Sequence, residues 1–453
     1  MQEVATIMYY DRFLQWVDDH YTLALEDAAF YLLLFDPKIK EWFHYGDGYY
    51  QHLEVQEVRK IYLDCMKYYE IPTTSPKMNH CIQYLETICL FIDRWDDANP
   101  QYDCVKNGIV NLVTRELLGH TPALKFKYQI DRNFDPYVDP VIPARFNECL
   151  KAIPNKQDRD NYLKFWLAVV HKIHDYEVFL MCYGVKWGGK SSNLNIFARM
   201  YGSQVIGKKP LQMIGKRFGL GSIYDKRLNI HADMPIVNID PYTISQLKSL
   251  TGNDGDMDIE LKGVNSFTYP ISLFLAFGIN QLMGFTQNAE KEIDSVMRRV
   301  VMVEFPDVQK VDAPFKNSLE DPAFLDQLYS WFVITQSVPL FEVEQQNSWV
   351  QRNKKKWLLN SDPILRILMD TYQYEEGESV HAYEVVVRVK NELEQSGSLV
   401  PKSLKTQVTN ALSTMGIYPN GRRGASANYE NMSEMGQYGI EKVDLDFLLK
   451  GEQ

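Results

Sequence analysis

The 453-residue chain contains no apolar run long enough to approach a membrane span. Its first residues, Met1-Gln2-Glu3-Val4, lack the basic-then-apolar pattern of a secretory signal. These two absences lead us to expect a soluble, cytoplasmic protein with no membrane partner. The six cysteines (Cys65, Cys81, Cys89, Cys104, Cys149 and Cys182) include no Cys-x-x-Cys pair, and none stands at zinc-ligand spacing from a histidine. They read as free core thiols. His171 and His174 stand three apart, but no third ligand lies nearby, so a metal centre is not expected there. The first hundred residues show no cluster of catalytic carboxylates, so no primase or nuclease centre is assigned. An excess of positive charge is also lacking: 48 Lys and Arg against 59 Asp and Glu leave a net charge of -11. That argues against a surface coated in nucleic acid. It leaves room for a local basic surface, such as a channel or a single DNA-reading helix.

What the chain does have is apolar and aromatic material for sizeable cores. Hydrophobic residues make up 45% and aromatics 13%, within globular values, and the length suits two or three domains. Its most informative stretch is Gly184-Val185-Lys186-Trp187-Gly188-Gly189-Lys190-Ser191, of the form G-x-x-x-x-G-K-S. An apolar run, Val178 to Tyr183, precedes it, and a helix-like segment, Ser192 to Tyr201, follows, closed by Gly202. Strand, glycine loop and helix is the context of a phosphate-binding P-loop. Gly184, Gly188 and Gly189 let backbone N–H groups turn inward toward phosphate oxygens, and the helix start adds a partial positive charge. Lys190 can reach the β- and γ-phosphates of ATP. The Ser191 hydroxyl, with Ser192 beside it, can ligate Mg2+.

Around this loop the chain divides into five stretches. Residues 1–100 read as a mainly helical N-terminal domain, with apolar residues at helical spacing in 13–17, 29–34, 55–69 and 78–92. Residues 101–175 read as a connector: short strands around Asn107-Gly108, turns through Phe134-Asp135-Pro136, then helix over 143–172 with Pro143 near its start. Residues 176–310 form the nucleotide domain. In it Arg227 to Asp233 is a short strand ending in an acid, which can hold Mg2+ or orient water. Ile244 to Leu250 is a helix. Met257 to Tyr269 is a β-hairpin with Lys262 near its tip. Ile271 to Ile279 is a buried parallel strand that ends at Asn280, where α/β sheets bind ligands. Arg298 and Arg299 precede a strand over 300–305. Residues 311–361 read as a helical lid and linker. Residues 362–453 read as three helices and a hairpin, the parts of a winged helix. There Ser403, Lys405, Thr406 and Thr409 would face a DNA groove, and Arg422 and Arg423 would touch phosphates. A helical protein–protein module is the alternative for that last stretch.

Residues 80–310 resemble the superfamily 3 helicases of the poxvirus, phage and plasmid primase-helicase type, which include replication initiators of mobile elements. Two parts carry the resemblance: Asp103 to Ile109 together with Phe134-Asp135-Pro136, and the ordered motifs of the nucleotide domain. The resemblance implies an α/β P-loop AAA+ core. In it Gly184 to Ser191 is the Walker A loop, Asp233 closes Walker B, and Lys248 to Lys262 is the extra motif holding a DNA-tracking hairpin. It also implies that Asn280 is the sensor, and that Arg299, or Arg298 as second choice, is the finger reaching a neighbour's ATP. The chain departs from the pattern in having Gly188-Gly189-Lys190 for Asn-Gly-Lys and Ala232 where a second acid is common. The reading that follows is an ATP-dependent replicative DNA helicase without the primase half. It would form a homo-oligomeric ring, a hexamer, with single-stranded DNA in its channel and duplex origin DNA bound by the C-terminal domain. The alternatives are an ATPase that remodels protein complexes and a duplex translocase that separates no strands.

Overall fold

A computed structural model of the chain describes residues 33–68, 70–88, 95–235, 238–252, 256–262, 265–271, 273–286, 292–309, 312–335, 352, 357, 362–395, 400–414, 417, 419–420 and 428–434. They fall into two compact units, Met1–Gln281 with Asn288–Gln345, and Leu282–Gln287 with Gln346–Gln453.

The first unit opens with three strands, β1 (Leu33–Asp36), β2 (Glu41–Gly46) and β3 (Tyr49–Leu53), paired antiparallel in that order. This sheet is an addition to the mainly helical reading of residues 1–100, which named no strand there. The cause is local. Asp47 and Gly48 both sit at positive φ, 53° and 92°, and Asp-Gly makes the two-residue hairpin turn whose twist matches its strands. The helical spacing holds further on, in α1 (Val55–Tyr68) and α2 (Ser75–Ile88). These helices close Val58, Tyr62, Cys65 and Leu85 over Trp42 of the sheet. The helical segments expected at 13–17 and 29–32 lie outside the described residues.

A second antiparallel sheet follows: β4 (Tyr102–Val105), β5 (Gly108–Asn111) and β6 (Leu117–Leu118). Asn107 in its first turn exchanges two hydrogen bonds with the Phe134 backbone. Its amide donates to Phe134 O and its carbonyl accepts from Phe134 N, each at 2.9 Å. The two halves of the first resemblance thus meet in space. Residues 143–172 form two helices rather than one, α3 (Val141–Leu150) and α4 (Lys156–Val170). The chain breaks at Pro154, and Asn155 caps the second helix by accepting from Asp158 N at 3.1 Å.

The centre of the unit is a parallel sheet. Its elements in chain order are β7 (Phe179–Gly184), α5 (Lys190–Tyr201), β8 (Ile206–Gly207), α6 (Leu211–Ile214), β9 (Leu228–His231) and α7 (Pro241–Thr251). The hairpin strands β10 (Asp256–Ile259) and β11 (Phe267–Pro270) come next, then β12 (Phe274–Ile279), α8 (Ile293–Met297) and β13 (Val300–Phe305). The five strands run β13-β7-β12-β9-β8, all parallel. The middle strands are nearly all apolar because both faces are covered. Leu180, Met181, Cys182, Leu275, Ala276 and Phe277 are fully buried. On one face, Trp166 of α4 stacks on Phe197 of α5, with centroids 3.5 Å apart, and Phe165 meets Phe274 edge-on. Helix α4, expected in the connector, therefore packs against the sheet. After β13 come α9 (Ala313–Ser318) and α10 (Pro322–Ile334), and Phe332 of α10 packs on Phe146 and Phe197.

The second unit holds α11 (Pro363–Thr371), β14 (Tyr372–His381), α12 (Ala382–Gln395), α13 (Leu404–Thr414), β15 (Pro419–Asn420) and β16 (Asn428–Glu434). The three helices fall where the spacing places them, around Leu368, Val385, Val389, Val408 and Leu412. The sheet order is β14-β16-β15. Strand β14, following directly on α11, was not anticipated.

Candidate nucleotide-binding site

The glycine loop 184–189 sits between the end of β7 and the start of α5. Gly184 has φ 139°, and a Cβ there would fall 2.1 Å from the Phe305 carbonyl oxygen. A Cβ on Gly188 would approach the same oxygen to 2.9 Å. The reason is that β13 ends against the loop, its Phe305 carbonyl accepting from Val185 N at 3.1 Å. The two glycines are therefore required by the neighbouring strand as much as by any ligand. Gly189, at φ 94°, leads into α5. Trp187 takes a positive φ of 68° and stands 69% exposed, while its carbonyl accepts from Gln309 N at 3.1 Å. Phe305 and Gln309 as walls of the loop left no signal in the sequence.

Lys190 is buried. Its Nζ donates to the carbonyls of Gly184 at 2.8 Å and Val185 at 2.6 Å. Burial lowers its pKa, opposed by Cys182 and Asp233. The ammonium is thus folded onto its own loop, at the place where phosphate oxygens would compete for it. Ser191 is exposed and donates to the Ala232 carbonyl at 3.2 Å, with Ser192 half-buried beside it. Asp233 follows β9 and Asn280 follows β12, both exposed, and the Asn280 amide donates to the Asp233 carboxylate at 3.4 Å. Lys190, Ser191, Asp233 and Asn280 therefore gather at the carboxyl ends of three neighbouring strands. This is where strand order reverses beside β7 and where open α/β sheets leave a binding crevice.

Arg298 and Arg299 lie elsewhere. Val300 pairs with Phe179 and Phe305 with Gly184, so the arginines stand at the opposite end of β13 from the loop, roughly 20 Å away at the strand rise per residue. Arg299 is buried, its guanidinium donating to Glu177 at 3.1 Å and to the Ser295 carbonyl at 3.2 Å. Arg298 is exposed. Lys262 is exposed in the loop joining β10 and β11, so the expected hairpin forms, with strands shorter than anticipated.

In the second unit, Ser403 is exposed just before α13, and Lys405 and Thr406 are exposed on it. Thr409 turns back, its hydroxyl bonded to Lys405 O and to the Tyr429 hydroxyl. Arg422 and Arg423 lie outside the described residues. Among the described residues no group of three or more His, Cys, Asp and Glu is arranged to hold a metal. His171 bonds the Phe332 carbonyl and His174 stacks on Phe274. The described cysteines are free and buried. No described helix is long and apolar enough to cross a membrane.

Residues 15–167 match the family model described as D5 N terminal like. Residues 182–299, from inside β7 to Arg299, match a family of unknown function, DUF5906. No curated protein matches the chain. Among solved structures, the A form apo structure of the NrS-1 C terminal region is similar at 10% identity and a TM-score of 0.48, covering 86% of this chain and 84% of that one. The apo structure of NrS-1 C terminal region (305-718) is similar at 9% identity and a TM-score of 0.49, covering 88% of this chain and 96% of that one.

Proposed function

We propose that the chain is an ATP-dependent replicative DNA helicase of a phage, plasmid or other mobile element. In this reading it works as a homo-oligomeric ring on single-stranded DNA. The observation that carries the reading is the gathering of Lys190, Ser191, Asp233 and Asn280 at the reversal point of the parallel sheet. Counted along the chain, the strand order is fifth, first, fourth, third, second, so the order reverses beside the first strand. The D5 N terminal like match supports a place among the replication primase-helicases of phages and viruses.

The residues present fit ATP and Mg2+. The loop has no room for side chains at Gly184 and Gly188, so backbone N–H groups can line it. Lys190 would release the two carbonyls and bind phosphate. Ser191 and Asp233 would hold Mg2+, which when bound neutralises the β- and γ-phosphate oxygens. Asn280, bonded to Asp233, would orient the water or sense the γ-phosphate. Hydrolysis at such a site is mainly positioning and charge stabilisation. The neighbour's finger is assigned to Arg298, because Arg299 is engaged within its own subunit. Lys262 would grip phosphates of one strand in the channel. Lys405 and Thr406, with Arg422 and Arg423, would bind duplex origin DNA.

The test is unwinding of a forked duplex with ATP. Wild type should separate the strands. Lys190→Ala should lose ATP turnover by about 10²-fold or more. Lys262→Ala should keep turnover and lose unwinding. Turnover stimulated by duplex without strand separation would instead support a duplex translocase, and turnover indifferent to any DNA a protein remodeller.

A further inference from the structure

The base of the Lys262 hairpin is fastened to the D5 N terminal like segment through one cation. The Nζ of Lys127 donates to the Tyr269 hydroxyl oxygen on β11 at 2.7 Å. The same ammonium lies over three rings, 5.0 Å from the centroid of Tyr269, 5.5 Å from Trp95 and 6.0 Å from Tyr224. Each ring comes from a different part of the first unit: Trp95 follows α2, Tyr224 precedes β9, and Tyr269 belongs to the hairpin. Tyr224 in turn meets Tyr269 edge-on at 4.9 Å and Phe267 at 5.6 Å. The other end of the contact is firmly held. The Lys127 N–H donates to the Asp97 carboxylate at 3.0 Å, and Lys125 N donates to Asp96 at 2.8 Å. The Trp95 indole donates to Asp36 at 2.9 Å. Burial works against the Lys127 charge, but Tyr269, Asp97 and Asp225 outweigh it, and the ammonium persists.

Ile259 is buried and Tyr224 packs on Phe267 and Tyr269, but the other described polar side-chain contacts of the hairpin are exposed: Arg217 to Glu260 at 3.0 Å, and Thr268 to Asp258 within the hairpin at 3.1 Å. Exposed contacts of this kind hold little. A cation partly withdrawn from water among three rings holds more. Tyr269 stands opposite Met257 in the paired register, so the grip falls on the ladder itself, with Lys262 in the loop beyond.

We propose that Lys127 and Tyr269 form a latch that positions the hairpin, tying it to the D5-like segment so that the two move as one body. Lys127 and Tyr269 are positioning residues. Their consequence for nucleic-acid binding rests on the role proposed above for Lys262, but the latch itself does not.

The experiment uses the full chain with Lys127→Met, Tyr269→Phe, the double variant and Lys127→Arg. Amide hydrogen exchange over 256–270 needs no nucleic acid. Each single variant should speed exchange in 256–259 and 267–270 by about tenfold while β7 and β12 keep their protection. The double variant should add little, and Lys127→Arg should restore most of the protection. Tyr269→Phe removes a single oxygen and keeps the test open should Lys127→Met fail to fold. Unchanged hairpin exchange in the folded variants overturns the latch. Affinity for oligo-dT by fluorescence anisotropy should fall about five- to tenfold in the same variants, with ATP turnover in the absence of DNA at the wild-type level. Faster exchange with unaltered oligo-dT affinity overturns the positioning role. A wild type that binds no oligo-dT overturns the reading of Lys262, and the exchange data then decide the latch alone.

Discussion

Lys172 shows how one side chain can override a backbone preference. It follows the cap residue of α4 at φ 55°, a place where helices favour glycine. Its ammonium accounts for the exception, donating to the carbonyls of Asp97, Asn99 and Tyr102 and pairing with Asp103 at 3.0 Å. Arg227 joins the same carboxylate at 2.7 Å, and Tyr329 donates to its other oxygen at 3.0 Å. Burial alone would raise the Asp103 pKa, but Arg227 and Lys172 outweigh it and hold it low. Lys172→Gly would relax the backbone and leave three carbonyls and a carboxylate short of a partner. The expected outcome is a loss of about 3–5 kcal/mol in urea unfolding; a neutral or stabilised variant would show that backbone strain dominates. His174 nearby should give the chain an acid-sensitive window. Burial, with Arg227 and Lys172, lowers its pKa to about 3. In the unfolded chain it takes a proton as pH falls below about 6.5, while in the fold it stays neutral, so stability falls with pH. Between pH 7 and 5 this histidine contributes a loss of at most about 2 kcal/mol. His174→Leu should flatten that part of the urea-midpoint profile, and an unchanged profile would assign the window elsewhere.

At the scale of elements, the strands that lead to the proposed site were the easiest to read. β7, β12 and β13 are near-continuous apolar segments bounded by glycine or polar residues, and their burial follows from that pattern. β1 begins where a helical segment over 29–34 is expected and β2 and β3 fall between the expected helices, because aromatic runs carry both periods and only the Asp47-Gly48 turn separates them. The apolar stripe of α4 marks it as a packed helix but names no partner, since such a stripe is equally consistent with any apolar surface. Its stacking on Phe197 yields a prediction: Trp166→Ala should cost about 3–5 kcal/mol, read as a lowered Tm, and a change under 1 kcal/mol would mean that the two helices repack. The two arginines before β13 divide in the same way. Arg298→Ala should leave the Tm unchanged and cut ATP turnover by about 10³-fold at concentrations where a ring forms. Arg299→Ala should lower stability by about 1–3 kcal/mol through the lost Glu177 and Ser295 contacts. If Arg299→Ala alone abolishes turnover in a stable ring, the assignment reverses.

Over the whole molecule, the second unit has its own core and should be separable from the first. Removal of residues 362–453 is predicted to abolish selective binding of duplex origin DNA while basal ATP turnover continues. Selective binding retained by the shortened chain would place origin recognition in the first unit. The sequence by itself determined the glycine loop between a strand and a helix, the buried strand ending at Asn280 and the hairpin that carries Lys262, because each rests on local backbone chemistry and short-range spacing. Only the tertiary structure decided that Asp233 meets Asn280, that Arg299 turns inward to Glu177, that Asn107 clasps Phe134 and that Lys127 reaches Tyr269. These pairs are far apart in the chain, and no periodicity links them. The register of the parallel strands β9 and β12 brings Asp233 to Asn280, and the need of a buried charge for a partner turns Arg299 inward.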